Sequence, residues 1–150
     1  MTVSITHEGN VIGPKINIMV PGQPPSVTHQ SGTRIGSNHH TYKTPELLGW
    51  ERRIRDAAWY KKPDEPFSGP VLLIAWFLYD TKDKKKRGTW KETKPDTDNM
   101  LKTPKDVLES LGFFEKGDQQ SCIEIVGKQW CDEGQEPGMY LTIVGMDRHV

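Results

Sequence analysis

The feature that most constrains this chain is a run of nine almost continuously apolar residues, Val71–Tyr79. A short run that is rich in β-branched and aromatic side chains is typical of a strand rather than a helix. Because both the odd and the even positions of the run are apolar, a strand here must be covered on both faces. The run therefore predicts the central strand of a sheet that carries other elements against it.

Three further segments have the pattern of strands. Ile16–Val20 alternates and is followed by Pro21, Gly22 and further prolines that end it. Ser121–Trp130 and Met139–Val144 also alternate, and the polar segment between them is rich in glycine and proline. We expect these last two strands to form a hairpin closed by a long turn over residues 132–138.

Two segments have helical spacing. The first begins at Thr44 or Pro45, since proline is tolerated in a first turn, and ends at Lys61-Lys62-Pro63. Its apolar positions are Leu47, Leu48, Trp50, Ile54, Ala57 and Ala58. The second helix is predicted from about Asp98 to Leu111, with Gly112 as its stop. Pro104 lies inside it and should kink it or delay its start.

The predicted order β-α-β-α-β-β favours a mixed α/β or α+β fold, in which two main helices pack against one mixed sheet. A length of 150 residues suits a single domain, residues 1–150, with residues 1–14 as a loose tail. Residues 26–43 are predicted to be a long polar loop, and it contains His29, His39 and His40. A metal or acid–base role for these histidines is a minor alternative.

Composition excludes several classes of protein. With 34% hydrophobic and 27% charged residues, the chain is polar but can form a core. No apolar run is long enough to cross a membrane, and the first residues lack a secretory signal, so we expect a cytosolic protein. Two cysteines nine residues apart, Cys122 and Cys131, are expected to be reduced thiols rather than zinc ligands.

The net charge of zero conceals an asymmetric distribution. Residues 1–105 have 17 basic and 11 acidic residues, whereas residues 106–150 have 3 and 9. The densest basic segment, residues 82–94, has seven basic residues: Lys82, Lys84, Lys85, Lys86, Arg87, Lys91 and Lys94. It is predicted to be an exposed loop, either simply solvated or binding DNA phosphates, and Trp90 within it could stack on a base or fold back to the core.

Asp96 and Asp98 directly follow this loop, before the second helix. Asp98 could simply be the helix N-cap. In extended backbone, residues two apart project to the same side, so the two carboxylates would converge and repel unless a cation lies between them. A hard divalent ion such as Mg²⁺ suits such oxygen ligands. An EF-hand calcium loop does not fit, because its sixth and twelfth positions from Asp96 are Leu101 and Val107, and a sugar-nucleotide Asp-x-Asp site lacks its glycine-rich loop.

Three further residues could join this site. In a helix that begins at Asp98, Lys102 and Asp106 follow at four and eight residues on one face. They form either a surface salt-bridge ladder or a lysine placed to neutralise a phosphodiester in its transition state. Asp118, in the turn before Ser121, is either an ordinary turn residue or a third carboxylate of the site.

Taken together, Lys94-Pro95-Asp96-Thr97-Asp98-Asn99, Lys102 and the later Asp118-Gln119-Gln120 resemble the signature of RusA-type Holliday-junction resolvases. The start, Pro21-Gly22-Gln23-Pro24-Pro25, is similar as well. The resemblance covers roughly residues 16–145. It departs at Gly117, where many members have a second acid, and in residues 26–43, which lack a dense basic run.

The resemblance implies a homodimeric nuclease of phage or prophage type that acts in DNA recombination and repair. It would resolve four-way DNA junctions by paired nicks, with Mg²⁺, or Mn²⁺ in its place, as cofactor. The metal-binding carboxylates would be Asp96, Asp98 and Asp118, and Lys102 the fourth catalytic residue. The alternatives are a nuclease for flaps or forks, an inactive junction-binding protein, and a metal-stabilised structural protein.

Overall fold

A four-stranded mixed sheet is the centre of the computed structural model, which describes residues 14–26, 31–35 and 38–149. Its strands are β1 (Lys15–Pro21), β4 (Val71–Tyr79), β5 (Ser121–Trp130) and β6 (Gly138–Gly145). They lie in the order β1-β6-β4-β5, with β4 parallel to β5 and antiparallel to β6. The central position predicted for Val71–Tyr79 is confirmed, and so is a mixed α+β fold.

The first helix, α1 (Pro45–Trp59), begins as its sequence predicts. Thr44 is its N-cap and accepts a hydrogen bond from the Leu47 amide at 3.2 Å. The helix contacts β1 and buries four side chains, Leu47, Trp50, Ile54 and Ala58. Leu48, which was expected in the core, is 47% exposed because it points to the opposite side of the helix.

The predicted second helix is divided in two, α2 (Thr97–Met100) and α3 (Lys102–Ser110). The division at Leu101 places Pro104 in the first turn of α3, where a missing amide hydrogen costs no helical hydrogen bond. The prediction that Pro104 would delay the helix start is thus confirmed for α3. The N-cap of α2 is Asp96, so the interpretation of Asp98 as an N-cap is wrong.

The expected hairpin between the last two strands is also wrong. β5 and β6 do not pair with each other, because β4 lies between them. Their connection passes the end of β4, where the Cys131 amide donates to the Tyr79 carbonyl at 2.8 Å. At the other end of this connection, just before β6, the Pro137 carbonyl accepts from the Gly22 amide at 3.1 Å. Two alternating strands joined by a turn look like a hairpin in sequence, even where another strand lies between them in the sheet.

Residues 26–43, predicted as a structureless loop, contain two strands instead. β2 (Ser31–Ile35) pairs antiparallel with β3 (Asn38–Tyr42). Neither strand has an alternating apolar face, which is why a search for apolar periodicity missed them. The tail predicted over residues 1–14 and His29 lie outside the described residues except for Pro14, and the structure describes only the backbone of His39 and His40.

Within the described residues, no helix is both long and apolar enough to span a membrane. Cys122 and Cys131 are free thiols, as expected. The core lies between the sheet and the helices α1 and α3, and it includes Trp50, Phe77, Leu108, Phe113 and Leu141. The predicted elements therefore bury most, but not all, of the apolar residues that defined them.

A close approach between strands β4 and β5 makes Gly127 irreplaceable without rearrangement. The Trp76 side chain lies across Gly127, its partner in the register, and a Cβ atom at residue 127 would come within 3.0 Å of three ring carbons. We expect Gly127→Ala to lower the free energy of unfolding by about 1–3 kcal/mol in urea denaturation. Gly49→Ala, in α1 with open space around it, is the control and should leave stability unchanged or raise it. Equal effects of the two changes would contradict this.

Candidate active site

The turn that carries Asp118 is fixed by the buried side chain of Gln120, which is 6% exposed. Its Nε2 donates to the carbonyls of Phe67 at 2.8 Å and Gly69 at 2.7 Å, and its Oε1 accepts from the Lys116 amide. Phe67 and Gly69 directly precede β4. The turn between α3 and β5 is therefore tied to the start of the central strand, and Asp118 has a defined position.

Asp118 lies in a group of three carboxylates with Asp106 and Glu109, in which one oxygen of each side chain lies within 4.8 Å of the others. Asp106 and Glu109 are three residues apart and adjacent on the surface of α3. Of the two salt bridges among the described residues, Lys43–Glu51 and Lys105–Glu124, neither includes this group. Three converging carboxylates repel one another, and their oxygens are the ligands that a hard divalent cation prefers.

The backbone conformation at residue 117 explains why this residue is glycine. Gly117 has φ +94°, a conformation that side chains disfavour, and a Cβ atom there would lie 2.5 Å from Oε1 of Glu109. Any side chain at residue 117 would therefore be strained by the backbone conformation, and the flexible Glu109 carboxylate would have to move. In this chain Glu109, rather than residue 117, supplies an acidic group next to Asp118.

Asp96 and Asp98 lie at the start of α2, and both are exposed. Asp96 is the N-cap by backbone conformation, but its side chain makes no capping hydrogen bond. The structure does not bring Asp96 or Asp98 into the group formed by Asp106, Glu109 and Asp118. Lys102 is the first residue of α3 and is also exposed. The three carboxylates of the predicted metal site are thus not brought together in one group among the described residues.

Two lysines hold the loop that leads into Asp96. Lys91 is 7% exposed, and its ammonium donates to the Thr93 hydroxyl at 2.7 Å, to the Thr93 carbonyl at 3.4 Å and to the Lys94 carbonyl. Lys128, on β5, donates to the carbonyls of Thr93 at 2.6 Å and Pro95 at 2.5 Å. The three carbonyls immediately before Asp96 therefore all accept from these two side chains.

The burial of Lys91 corrects its predicted role as a DNA contact. All three of its ammonium hydrogens have acceptors inside the protein, and the ammonium lies 4.7 Å from the Trp130 ring centre and 5.0 Å from that of Tyr79. Burial, followed by repulsion from Lys128 and Lys86, lowers the pKa of Lys91. Lys91 is a structural residue of the loop, because no donor is left for a phosphate.

The rest of the basic segment is at the surface. Arg87 is half-buried, and the exposed members are Lys82, Lys84, Lys85, Lys86 and Lys94. The segment is attached to β5, since the Trp130 amide donates to the Thr89 carbonyl at 2.9 Å.

Trp90 is 62% exposed and packs edge-on against Trp76 on the outer face of the sheet, with ring centres 5.6 Å apart. The interpretation of Trp90 as a residue folded back into the core is therefore wrong, and its stacking on a base stays a prediction.

Sequence reasoning missed the contributions of Glu109, Lys128 and Gln120. Only Lys128 left a signal, because it lies between Val126 and Trp130 on the core-facing side of β5, where a lysine is unusual. Glu109 is an ordinary helix surface residue in sequence. Its position beside Asp118 depends on how α3 packs on the following turn.

Comparison with known proteins identifies the family of this chain. The family model described as endodeoxyribonuclease RusA matches residues 21–143. A protein named crossover junction endodeoxyribonuclease rusA, from Lactococcus phage r1t, is 35% identical over 85 residues, which make up 55% of this chain. The match spans 63% of the length of that relative. The family match includes every residue of the candidate site, and the chain belongs to the RusA family of endodeoxyribonucleases.

Proposed function

We propose that this chain is a divalent-metal-dependent endodeoxyribonuclease that resolves four-way DNA junctions by paired nicks. The observation that carries the proposal is the carboxylate group around Asp118, which has no salt-bridge partner among the described residues, in a chain of this family. The name of the phage relative supports the choice of a junction as substrate. The same activity would serve DNA recombination and repair in the cytosol of a bacterial host.

The residues present fit a hard cation, because the donor set consists of carboxylate oxygens. Asp96, Asp98 and Asp118 are the proposed ligands of Mg²⁺, or of Mn²⁺ in its place, and Asp106 and Glu109 add negative charge beside Asp118. When bound, the ion would lower the pKa of a water and neutralise charge on the phosphate. Lys102 would place its ammonium near the nonbridging phosphate oxygens and stabilise the charge that develops there.

We further propose that the basic side chains of this loop bind the DNA backbone, namely Lys82, Lys84, Lys85, Lys86, Arg87 and Lys94. Their loop is attached to β5 at Trp130, and the Asp96 loop is attached to the same strand through Lys128. A phosphate chain that follows the basic loop would therefore be led toward Asp96. Paired nicking of a symmetric junction needs two active sites, so we propose a homodimer in which residues 1–150 of each copy form one domain.

Loss of four charges from the basic loop is expected to weaken junction binding and its salt dependence. Replacement of Lys84, Lys85, Lys86 and Arg87 by Ala should reduce the slope of log K against log salt by up to about 3–4, if each contacts one phosphate. The matched control replaces four basic residues of α1 and its end, Arg52, Arg55, Lys61 and Lys62. Equal losses in both variants, measured by fluorescence anisotropy over a salt series, would show a net-charge effect and contradict the proposed contact surface.

The function itself is tested by incubation of the protein with a synthetic mobile four-way junction, with Mg²⁺ or with EDTA, followed by mapping of the nicks. We expect symmetric nicks in strands of like polarity only with Mg²⁺. Faster cleavage of flaps or forks in the same assay would favour a nuclease for other branched DNA. Binding without nicking would indicate an inactive junction-binding protein, and stabilisation by Mg²⁺ without DNA affinity would indicate a structural metal site.

A further inference from the structure

Strand β5 carries a lysine in a place where strands of this sheet carry apolar residues. Lys128 lies opposite Phe77 in the register, between Val126 and Trp130, which pack against the core. It is half-buried, and its backbone carbonyl accepts from the Lys91 amide at 3.1 Å, so the two lysines are neighbours. An ammonium here loses part of its hydration and faces a second ammonium, so this arrangement costs free energy.

That cost is offset by carbonyl acceptors from one short segment. Lys128 donates to the Thr93 carbonyl at 2.6 Å and to the Pro95 carbonyl at 2.5 Å. The carbonyl of Lys94, which lies between them in sequence, accepts from Lys91. Hydrogen bonds with a charged donor are stronger than those between neutral groups. The backbone of residues 93–95 is therefore held at three successive peptide units.

The segment held in this way ends at the first carboxylate of the predicted site. Pro95 is buried and its carbonyl is bound by Lys128, whereas Asp96, the next residue, is exposed with no capping hydrogen bond from its side chain. Fixing the peptide unit before Asp96 fixes where the Asp96 side chain begins. No carboxylate among the described residues forms a salt bridge with Lys128, so its identified partners are these carbonyls.

We propose that Lys128 is a positioning residue, which acts through the carbonyls of Thr93 and Pro95 to hold Asp96 in place for metal binding. This inference rests on the proposed function, in which Asp96 is a ligand of the divalent ion. Residues that orient a metal ligand from outside typically change metal affinity or activity by about 10–100-fold when they are replaced. Lys128 belongs to this class of residue and is distinct from Lys102, which is proposed to face the phosphate.

The test is the Mg²⁺ concentration required for half-maximal nicking by Lys128→Met, which keeps the apolar stem and removes the ammonium. We expect this concentration to rise by about 10–100-fold, with most of the nicking rate recovered at saturating Mg²⁺. Calorimetric titration of the DNA-free protein with Mn²⁺ should show weaker binding by a similar factor. Lys128→Arg, whose guanidinium can donate to both carbonyls, should restore much of the affinity.

Lys105→Met is the matched control, because Lys105 also joins a helix to β5, through its 3.1 Å salt bridge with Glu124, without contacting the Asp96 loop. It should leave the Mg²⁺ requirement unchanged. If Lys128→Met melts below the assay temperature, the same titrations with Lys128→Gln decide the question.

Two results would overturn the inference. One is a wild-type Mg²⁺ requirement and Mn²⁺ affinity in the Lys128 variants. The other is a loss of junction affinity in EDTA with an unchanged metal requirement, which would make Lys128 a DNA contact. In both cases the wild-type protein still nicks, so the proposed function stands; failure of the wild-type protein to bind metal or nick would instead remove the proposed function.

Discussion

Replacement of Asp118 by Asn is expected to reduce nicking of a four-way junction by about 10²–10³-fold. Asp118 is common to the predicted metal ligands and to the carboxylate group in the structure. A bound divalent ion contributes several kcal/mol to stabilising a phosphoryl transition state, and each 1.36 kcal/mol corresponds to a factor of about ten in rate. Single-turnover cleavage in Mg²⁺ measures this loss, and Asn replacements of Asp96 and Asp98 should have similar effects.

The same Asp118→Asn change should preserve junction binding in EDTA, or strengthen it, because one negative charge that repels the DNA phosphate is removed. Without metal it should also raise the melting temperature slightly, since three converging carboxylates become two. Glu115→Gln is the control, because Glu115 is an exposed acid near the same turn and outside the group. Nicking by Asp118→Asn at the wild-type rate would refute the assignment of the site.

Replacement of Lys91 by Met is expected to have the largest effect on stability among the single changes at charged residues. It leaves the carbonyls of Thr93 and Lys94 without this donor and removes the cation from the rings of Tyr79 and Trp130. The Thr93 carbonyl keeps its hydrogen bond from Lys128, so the main loss is one charged hydrogen bond to the Lys94 carbonyl, about 1.5–3 kcal/mol, together with cation–π contacts of about 1–2 kcal/mol. The removal of a buried charge beside Lys128 and Lys86 offsets part of this, so we expect a net loss of about 2 kcal/mol.

For a chain of this size, a loss of about 2 kcal/mol lowers the melting temperature by about 4–8 °C, which differential scanning calorimetry measures directly. Lys116→Met is the control, since Lys116 is exposed and should change stability little. A melting temperature of Lys91→Met equal to that of wild type would mean that Lys91 is dispensable for the loop. It would also return Lys91 to the set of proposed DNA contacts.

The sequence alone was sufficient to predict those elements whose buried residues form an apolar pattern. Val71–Tyr79 could be predicted because its apolar run is nearly continuous, and α1 because its apolar side chains recur at the helical period and Thr44 has the chemistry of an N-cap. The polar strands β2 and β3 have no alternating apolar residues in sequence and left no such pattern. The pairing of β5 with β4 rather than β6 was also hidden, because all three strands are equally able to pair by composition.

The sequence predicted those site residues that are marked by their neighbours along the chain. It did not predict those that the packing of separate elements brings together. Asp96 and Asp98 are marked by their spacing before a helix, and Asp118 by the family signature. Glu109 joins Asp118 only because α3 packs on the turn, and no local pattern encodes that contact. Lys91 was assigned to the wrong role because a count of charges in a loop does not reveal which side chain points inward.

The position of β6 has a consequence for how the protein is made. The last strand of the chain is not an edge strand, because it lies between β1 and β4 and pairs with both. During synthesis, β1 therefore has no partner in the sheet until β6 has left the ribosome, whereas β4 and β5 can already pair. A chain that stops before Gly138 would keep every proposed site residue, but β1 would be a single unpaired strand and β4 would have an open edge, which favours aggregation.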